Sequence, residues 1–321
     1  TALFYKDFAV EQEDGYYDLY PSVSPENTAS NIGRNMGTGG IETSKNATME
    51  FALLKELLVN LIEASRLTGQ YSDKVEVWKT MLSKVRPYMV NEDGAIKEWM
   101  DPYYQDNYCH RHHSHLYPVF PGCEITKESP LYPAFERAED LRLEHGLSDQ
   151  CNWSLVFMAG IAARMGRSEI ALTVLDTIGR TCLMNNLLTV SNDWRRMGPA
   201  ACGDFRLVPF QIDGNIGISG VINEMLLQSQ QSTYEESRLV LLPALPEKWR
   251  NRGHFCGLLA RGNVGCDIYW EQDEGYAVLR SKEEKNLRLT LGEPYVFADG
   301  STEYRGRIRG ELRVDFQKGV I

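Results

Sequence analysis

The sequence predicts a mainly α-helical chain with a small antiparallel β domain at its C-terminal end. Up to about Ser237, apolar residues recur at steps of three and four, and long polar loops join the helical segments. After Ser237 the pattern changes to short, partly alternating apolar runs separated by Gly and Asn turns, which is typical of antiparallel strands. We therefore expect two domains, residues 1–236 and residues 237–321.

Composition places the chain among ordinary globular proteins and narrows the choice of partners. The 321 residues are 43% hydrophobic and 24% charged, with a formal net charge of −10. An acidic balance without a basic run argues against binding to the phosphate backbone of nucleic acids. No apolar run reaches the ~18 residues that a membrane span needs. We expect a neutral or small ligand, and neither a nucleic acid nor a membrane as partner.

The start of the chain and its cysteines bear on where the protein works. The chain opens at Thr1 in a helical pattern, with neither Met nor a signal peptide, so we expect upstream sequence from a longer protein. Seven cysteines are scattered without a Cys-x-x-Cys motif, which favours free thiols over a disulfide framework. Free thiols favour a reducing, cytoplasmic compartment without excluding secretion, and the localisation is left unassigned.

About seven helical segments alternate with long loops in the first two-thirds of the chain. The strongest runs from Thr48 to Leu67, with Gly69 as its predicted C-cap. The predicted helices cover residues 1–12, 48–67, 73–85, 131–145, 150–166 and 168–185, and a last one ends near residue 231. Helical hairpins with long loops on one side form a toroid whose loops gather polar residues into a cleft. Since a toroid of six hairpins needs twelve helices, we expect about half of it to be absent from this chain.

Five apolar runs predict the strands of the C-terminal domain. They are Leu239–Leu242, Val264–Trp270, Tyr276–Leu279, Leu287–Leu291 and Leu312–Phe316. Turn residues separate them, so we expect a small antiparallel β-sandwich.

The first long loop, residues 13–46, contains a candidate general acid. Its run Pro21-Ser-Val-Ser-Pro-Glu-Asn27 holds Glu26 between a proline and an asparagine. A glutamate held in a rigid loop is a candidate general acid if it is buried. The alternative is an exposed loop acid, which is the commoner state of a glutamate.

The second long loop, residues 87–130, contains four of the six histidines, at positions 110, 112, 113 and 115, with Arg111 among them. Imidazoles two residues apart could share a metal ion, but no Cys motif or His-Glu-x-x-His spacing accompanies them. We favour hydrogen bonding of a polar substrate, because imidazole and guanidinium groups donate to hydroxyls in fixed directions. A solvated or helix-capping cluster is the remaining alternative.

Asp213 lies in the stretch Phe210–Gly217, which leads into an apolar helical segment. The helix dipole and free N–H groups favour a carboxylate at this position, although most Asp-Gly pairs are simply turns or N-caps. Glu26 and Asp213 could converge on one cleft, and paired carboxyl groups flanking a glycosidic bond are usual in glycoside hydrolysis. Loop aromatics such as Trp153 would suit the apolar faces of sugar rings, although aromatic residues are more often part of a core.

Six segments occur in one order along the chain: Pro21–Asn27, His110–Tyr117 with Pro121-Gly122, Phe210–Asn215, Glu224–Ser229, Leu241–Pro246 and Gly257–Gly262. Together they resemble glycoside hydrolase family 95, the inverting α-L-fucosidases. The resemblance extends from about residue 1 to about residue 270, and six ordered matches are far more specific than any one alone.

The resemblance implies a fold, an activity and residue roles. The fold is a partial catalytic (α/α)6 barrel of helical hairpins followed by a small β domain. The activity is hydrolysis, with inversion, of a terminal α-L-fucosyl or related L-galactosyl linkage in a fucosylated oligosaccharide or glycan, without a metal or other cofactor. Carried over by motif, Glu26 is the general acid, and Asp213 polarises an asparagine that activates the attacking water. Arg111 and His112 would hold the sugar hydroxyls, with Asn215 and Trp153 as further candidates for substrate binding.

The sequence also departs from the family pattern. The family's catalytic asparagines lie upstream, in the part of the barrel that we expect to be absent, so the isolated chain should be weakly active or inactive. The run Gln150-Cys-Asn-Trp-Ser154 replaces the family's usual Gly-Trp-Ser approach at that helix. A non-catalytic carbohydrate-binding protein is the alternative from another class, and the exact sugar stays open.

Overall fold

The computed structural model describes residues 1–32, 43–145, 150–196 and 208–319. Its contacts divide the chain into two compact units, and the division lies between Gln150 and Cys151. The first unit holds the described residues up to Gln150, and the second holds those from Cys151 onward. This division falls inside the predicted domain of residues 1–236, so the boundary at residue 236 stays a prediction. None of the described helices is long and apolar enough to span a membrane.

The described part of the first unit contains helices at each of the predicted places. They are α1 (Ala2–Phe8), α2 (Thr48–Thr68), α3 (Val75–Ser83) and α4 (Tyr132–His145). Two short antiparallel pairs lie between α1 and α2, and they are β1 (Val10–Glu11) with β2 (Tyr17–Asp18) and β3 (Ser22–Val23) with β4 (Thr43–Ser44). Helix α1 ends earlier than predicted because the chain turns into β1 directly after it.

Helix α2 shows why apolar spacing predicted these elements. Phe51, Leu54 and Leu58 recur at steps of three and four and are fully buried. Gly69 follows the helix with φ of 70°, and its N–H donates to the carbonyl of Ser65 at 2.8 Å. The left-handed conformation favours glycine, so the predicted C-cap is confirmed.

The second unit begins with three packed helices. They are α5 (Asn152–Arg164), α6 (Ser168–Thr181) and α7 (Ile212–Leu226). Helix α5 is buried on almost every side because it packs against both α6 and α7. Helix α7 ends at Leu226 rather than near residue 231, because the next two residues pair as a strand. A short helix that the sequence did not predict, α8 (Glu247–Arg250), follows later.

Seven strands of the second unit form one mixed sheet within the described residues. They are β5 (Leu227–Gln228), β6 (Glu236–Leu241), β7 (Arg252–Ala260), β8 (Val264–Glu271), β9 (Glu274–Leu291), β10 (Tyr295–Phe297) and β11 (Glu303–Lys318). The order is β10–β11–β9–β6–β5, while β8 pairs with the first half of β9 and β7 pairs with β8. Buried residues of these strands, including Leu239, Val264 and Leu289, form one core cluster.

Two expectations for this sheet are corrected. Strand β6 pairs with β9 in parallel, so the domain is not entirely antiparallel. The runs 276–279 and 287–291 are two halves of the single strand β9, because β11 pairs along both halves with one irregularity between Ile308 and Gly310. The polar residues between the two runs therefore belong to a strand rather than a turn. Strands β5, β7 and β10 were not predicted.

Candidate active site

Glu26 lies in a loop of the first unit whose flanks are fixed by buried hydrogen bonds. At the start of the loop, Ser22 Oγ accepts from the N–H of Ala47 at 2.8 Å. On either side of Glu26, Ser24 and Asn27 are 1% exposed. We call residues 22–27 the acid loop.

Glu26 itself lies beside two of the other predicted site residues. Arg111 Nη2 forms an ion pair with Glu26 Oε2, and His112 Nε2 lies 3.6 Å from the same oxygen. The Glu26 side chain is 53% exposed. The burial expected for a general acid is therefore not supplied within this unit. The arrangement does bring together an acid, a guanidinium and an imidazole, and the roles of these three residues stay predictions.

The histidine cluster is largely buried, which corrects the solvated alternative. His113 has no exposed surface, His115 is 3% exposed and His110 is 8% exposed. Burial, together with nearby Arg142, lowers the pKa of His110 to about 3. Burial and the neighbouring Arg111 lower the pKa of His112 to about 4, although Glu26 opposes this shift. The imidazoles are therefore neutral at pH 7 and can both donate and accept hydrogen bonds.

The described residues contain no group of three His, Cys, Asp or Glu side chains arranged to hold a metal ion.

The buried carboxylate of Glu98, which the sequence analysis did not single out, binds the acid loop by hydrogen bonds and forms an ion pair with Arg142. Glu98 is 1% exposed and accepts hydrogen bonds from Ser24 Oγ at 2.6 Å and Asn27 Nδ2 at 2.7 Å. Arg142, also 1% exposed, forms an ion pair with it. Burial raises the pKa of Glu98, while the guanidinium of Arg142 opposes the rise. A signal was available in the sequence, because Lys97 and Glu98 are two charged residues between the apolar pairs Ala95-Ile96 and Trp99-Met100.

Asp213 belongs to the second unit and lies in the first turn of α7. Gln211 is the N-cap residue, with extended backbone angles, so the interpretation of Asp213 as the N-cap is wrong. Asp213 is exposed to solvent. Because Glu26 and Asp213 lie in different units, their convergence on one cleft stays a prediction.

The first turn of α7 packs against the start of α5. A Cβ on Gly214 would lie 2.6 Å from Cγ of Asn152, so only glycine fits there. Gln211 Oε1 accepts from the N–H of Trp153 at 2.9 Å. The position of Asp213 is therefore set by contacts on both sides of it in the sequence.

The two remaining predicted substrate-binding residues have distinct surroundings. Asn215 Oδ1 accepts from the N–H of Thr189 at 2.8 Å, and its Nδ2 donates to the carbonyl of Leu187 at 2.7 Å. These bonds hold a loop against α7, and a substrate contact of Asn215 stays a prediction. Trp153 is 37% exposed and stacks on Phe157 with ring centroids 5.6 Å apart, so part of its indole is available to a ligand.

Helices followed by a sheet, with acids carried on a loop and at a helix start, fit the class of glycoside hydrolases. Residues 1–226 match the family model described as the glycosyl hydrolase family 95 catalytic domain, and residues 228–319 match that of the glycoside hydrolase family 95 C-terminal domain. The chain belongs to glycoside hydrolase family 95, as its motifs indicated.

The relatives are fucosidases by name. The chain is 32% identical over 272 residues to "Alpha-L-fucosidase 2" of Arabidopsis thaliana, covering 83% of this chain and 30% of the relative. It is 27% identical over 187 residues to "Probable alpha-fucosidase A" of Aspergillus niger, covering 55% of this chain and 22% of the relative. The chain thus spans less than a third of the length of these curated relatives.

The fold also resembles that of a solved structure. This structure is described as "Putative kojibiose phosphorylase from human microbiome", and it matches with a TM-score of 0.53 at 10% identity. The match covers 98% of this chain and 42% of the other chain. At this identity the likeness concerns the fold alone.

Proposed function

We propose that this chain is part of an inverting α-L-fucosidase that hydrolyses a terminal α-L-fucosyl, or related L-galactosyl, linkage of a glycan. The observation that carries the proposal is the cluster of Glu26, Arg111 and His112 in a member of family 95. The names of the two curated relatives support the sugar. For the fold, we propose a partial (α/α)6 barrel over residues 1–236 and a small β-sandwich over residues 237–321.

In this proposal each residue has one task. Glu26 gives its proton to the glycosidic oxygen as the bond from that oxygen to the anomeric carbon breaks. A water molecule attacks the anomeric carbon from the opposite face, which inverts the configuration, and its released proton passes through an asparagine to the carboxylate of Asp213. Asp213 polarises this asparagine, which lies outside this chain and activates the water. Arg111 and His112 hold sugar hydroxyls, and the exposed face of Trp153 contacts the ring.

The ion pair of Arg111 with Glu26 gives the proposal a further mechanistic element. The guanidinium lies against the carboxylate oxygen that the glycosidic bond would have to reach. A substrate whose hydroxyls engage Arg111 would draw the guanidinium away from this oxygen and leave it free to face the glycosidic oxygen. Substrate binding would therefore prepare Glu26 for its task.

The test uses the full-length polypeptide encoded by the gene and a fucosylated oligosaccharide. We expect Glu26→Gln and Asp213→Asn each to lower kcat by a factor of about 10²–10⁴. Glu92→Gln replaces an exposed loop acid, and Glu76→Gln replaces an exposed acid in the first turn of α3, so both should leave kcat unchanged. NMR of the first-formed fucose anomer reports inversion. Near-normal turnover of Glu26→Gln would refute the role of the acid.

A non-catalytic carbohydrate-binding protein is the competing function. It would bind fucose through Arg111 and His112 without hydrolysing any fucoside. Calorimetry on the full-length polypeptide that shows fucose binding, with no fucose release from any of several fucosides, would replace our proposal with this one.

A further inference from the structure

The acid loop and the segment that carries Arg111 meet at one buried carboxylate. Glu98 Oε1 accepts from Ser24 Oγ at 2.6 Å, and Glu98 Oε2 accepts from Asn27 Nδ2 at 2.7 Å. Ser24 and Asn27 lie on either side of Glu26 in the sequence. Each oxygen of the Glu98 carboxylate therefore binds a residue on one side of Glu26, Ser24 before it and Asn27 after it.

Arg142 connects the same carboxylate to the second segment. Its Nη2 forms the ion pair with Glu98, and its Nη1 donates to the carbonyl of His110 at 3.1 Å. His110 directly precedes Arg111, which pairs with Glu26. Two routes thus lead from Glu98 to Glu26, one through the acid loop and one through Arg142 and the backbone at His110.

We propose that Glu98 is a positioning residue for proton transfer from Glu26. It holds the acid loop and the Arg111 segment in one relative arrangement, although it does not itself touch Glu26 in this structure. The proposal rests on the proposed function, because it assigns to Glu98 the placement of the general acid of that site.

The chemistry of a buried ion pair supports a role in geometry rather than in stability. Removing two charges from water is costly, and apolar residues of similar volume often stabilise a fold as well or better. Such a pair does, however, impose directional hydrogen bonds that an apolar contact cannot impose. Here those bonds end on Ser24, Asn27 and His110, each of which lies within two residues of a proposed site residue in the sequence.

The experiment compares two leaving groups in the full-length polypeptide. The alcohol released from a fucosylated oligosaccharide needs protonation, whereas the fluoride released from α-L-fucosyl fluoride needs little. Ser24→Ala removes the hydrogen bond of Ser24 Oγ to Glu98. Asn27→Ala removes the bond to Glu98 together with those to Asn107 and Thr28. Both leave the pair of Glu98 with Arg142 in place. We expect each to lower kcat on the oligosaccharide by about 10-fold to 100-fold, but kcat on the fluoride by less than about 3-fold, with KM nearly unchanged.

Glu98→Gln is the stronger variant, and it should show the same dependence on the leaving group with a larger loss. It also leaves Arg142 buried without a countercharge, so its folding is checked by circular dichroism and thermal unfolding. If it does not fold, the two milder variants still decide the question.

The control is Asp18→Asn, which neutralises another buried carboxylate of the first unit. Asp18 pairs with Lys45 and Arg86 and accepts from Asn46, and it makes no hydrogen bond to the acid loop. It should lower stability without any dependence on the leaving group.

Equal losses of kcat on both substrates for Ser24→Ala and Asn27→Ala would show a merely structural role, and no loss on either substrate would also overturn the inference. Glu26→Gln is assayed first, and its full activity would refute the proposed function itself.

Discussion

The side chain of Asn152 packs against Gly214, so that helix α7 and helix α5 meet at a position with room for hydrogen but not for a methyl group. A Cβ on Gly214 would lie 2.6 Å from Cγ of Asn152. Gly214 directly follows Asp213. The contact therefore explains the glycine of the Asp-Gly-Asn motif by packing rather than by turn geometry.

Gly214→Ala should displace the first turn of α7 and with it Asp213. We expect the free energy of unfolding to fall by about 1–3 kcal/mol, as overpacked sites usually show. The matched control is Gly220→Ala in the same helix, where an added Cβ would meet no atom within 4 Å. That change should raise stability by about 0.5–1 kcal/mol. Urea unfolding of both variants measures the difference, and equal stabilities would contradict the packing explanation.

Asn215 should hold its loop against α7, and its predicted sugar contact can be tested in the same variant. Asn215→Ala removes the acceptor of the Thr189 N–H and the donor to the Leu187 carbonyl. The expected loss is about 1–3 kcal/mol of unfolding free energy, because the partners lose their hydrogen bonds. In the full-length polypeptide, a rise in KM for a fucoside would support the predicted sugar contact of Asn215, and an unchanged KM would contradict it.

The segment from Glu224 to Ser229, one of the six that resemble the family, should contribute to stability rather than to the reaction. Arg164 on α5 donates to Glu224 on α7 through two nitrogens, at 3.0 Å and 2.9 Å. Gln228 Nε2 also donates to the carbonyl of Ala163 at 3.0 Å. Glu224→Gln should cost about 1.5–3 kcal/mol of unfolding free energy, because a charge-assisted pair is weakened.

A double-mutant cycle with Arg164→Met isolates the pairwise energy of this contact. We expect kcat on a fucoside to stay close to that of the unmodified protein. A loss of kcat without a loss of stability would mean that the segment acts in the reaction.

Stability should fall as the pH is lowered through the range set by the buried histidines. The pKa of His112 is lowered from 6.5 to about 4, and that of His110 from 6.5 to about 3. Between these values and 6.5 the unfolded chain holds a proton that the folded chain does not, so unfolding takes up protons. The free energy of unfolding therefore decreases as the pH falls from 6.5 towards 4, by about 1.4 kcal/mol per pH unit for each proton.

Urea unfolding at several pH values measures this slope. His112→Gln should reduce the slope of unfolding free energy against pH, because about one proton fewer is taken up on unfolding between pH 6 and pH 5. The control His145→Gln replaces a histidine of the same unit whose side chain is 51% exposed, and it tests for a general effect of losing an imidazole. An unaltered slope in His112→Gln would mean that this histidine is solvated in the folded protein.

The helices and the family could be predicted from the sequence because both depend on local or linear patterns. Apolar residues at steps of three and four give the positions of α2, α5 and α6 without any knowledge of their neighbours. The motifs with Glu26 and Asp213 likewise stand in a fixed order that needs no coordinates to be recognised. The ends of elements were predicted less well. Helix α7 ends at Leu226 because the next two residues pair with β6 as strand β5, and the residues of the helix itself do not show this.

Only the tertiary structure assigned partners to these residues. Glu98 was missed because its roles depend on Ser24 and Arg142, which lie 74 and 44 residues away in the chain. The continuity of β9 was missed because it depends on the pairing with β11 along both halves of β9, on either side of an irregularity at residues 282–284. The sequence by itself determined which chemical groups this protein carries and in what order. The structure decided which of them meet, because burial and long-range hydrogen bonds exist only once the chain has folded.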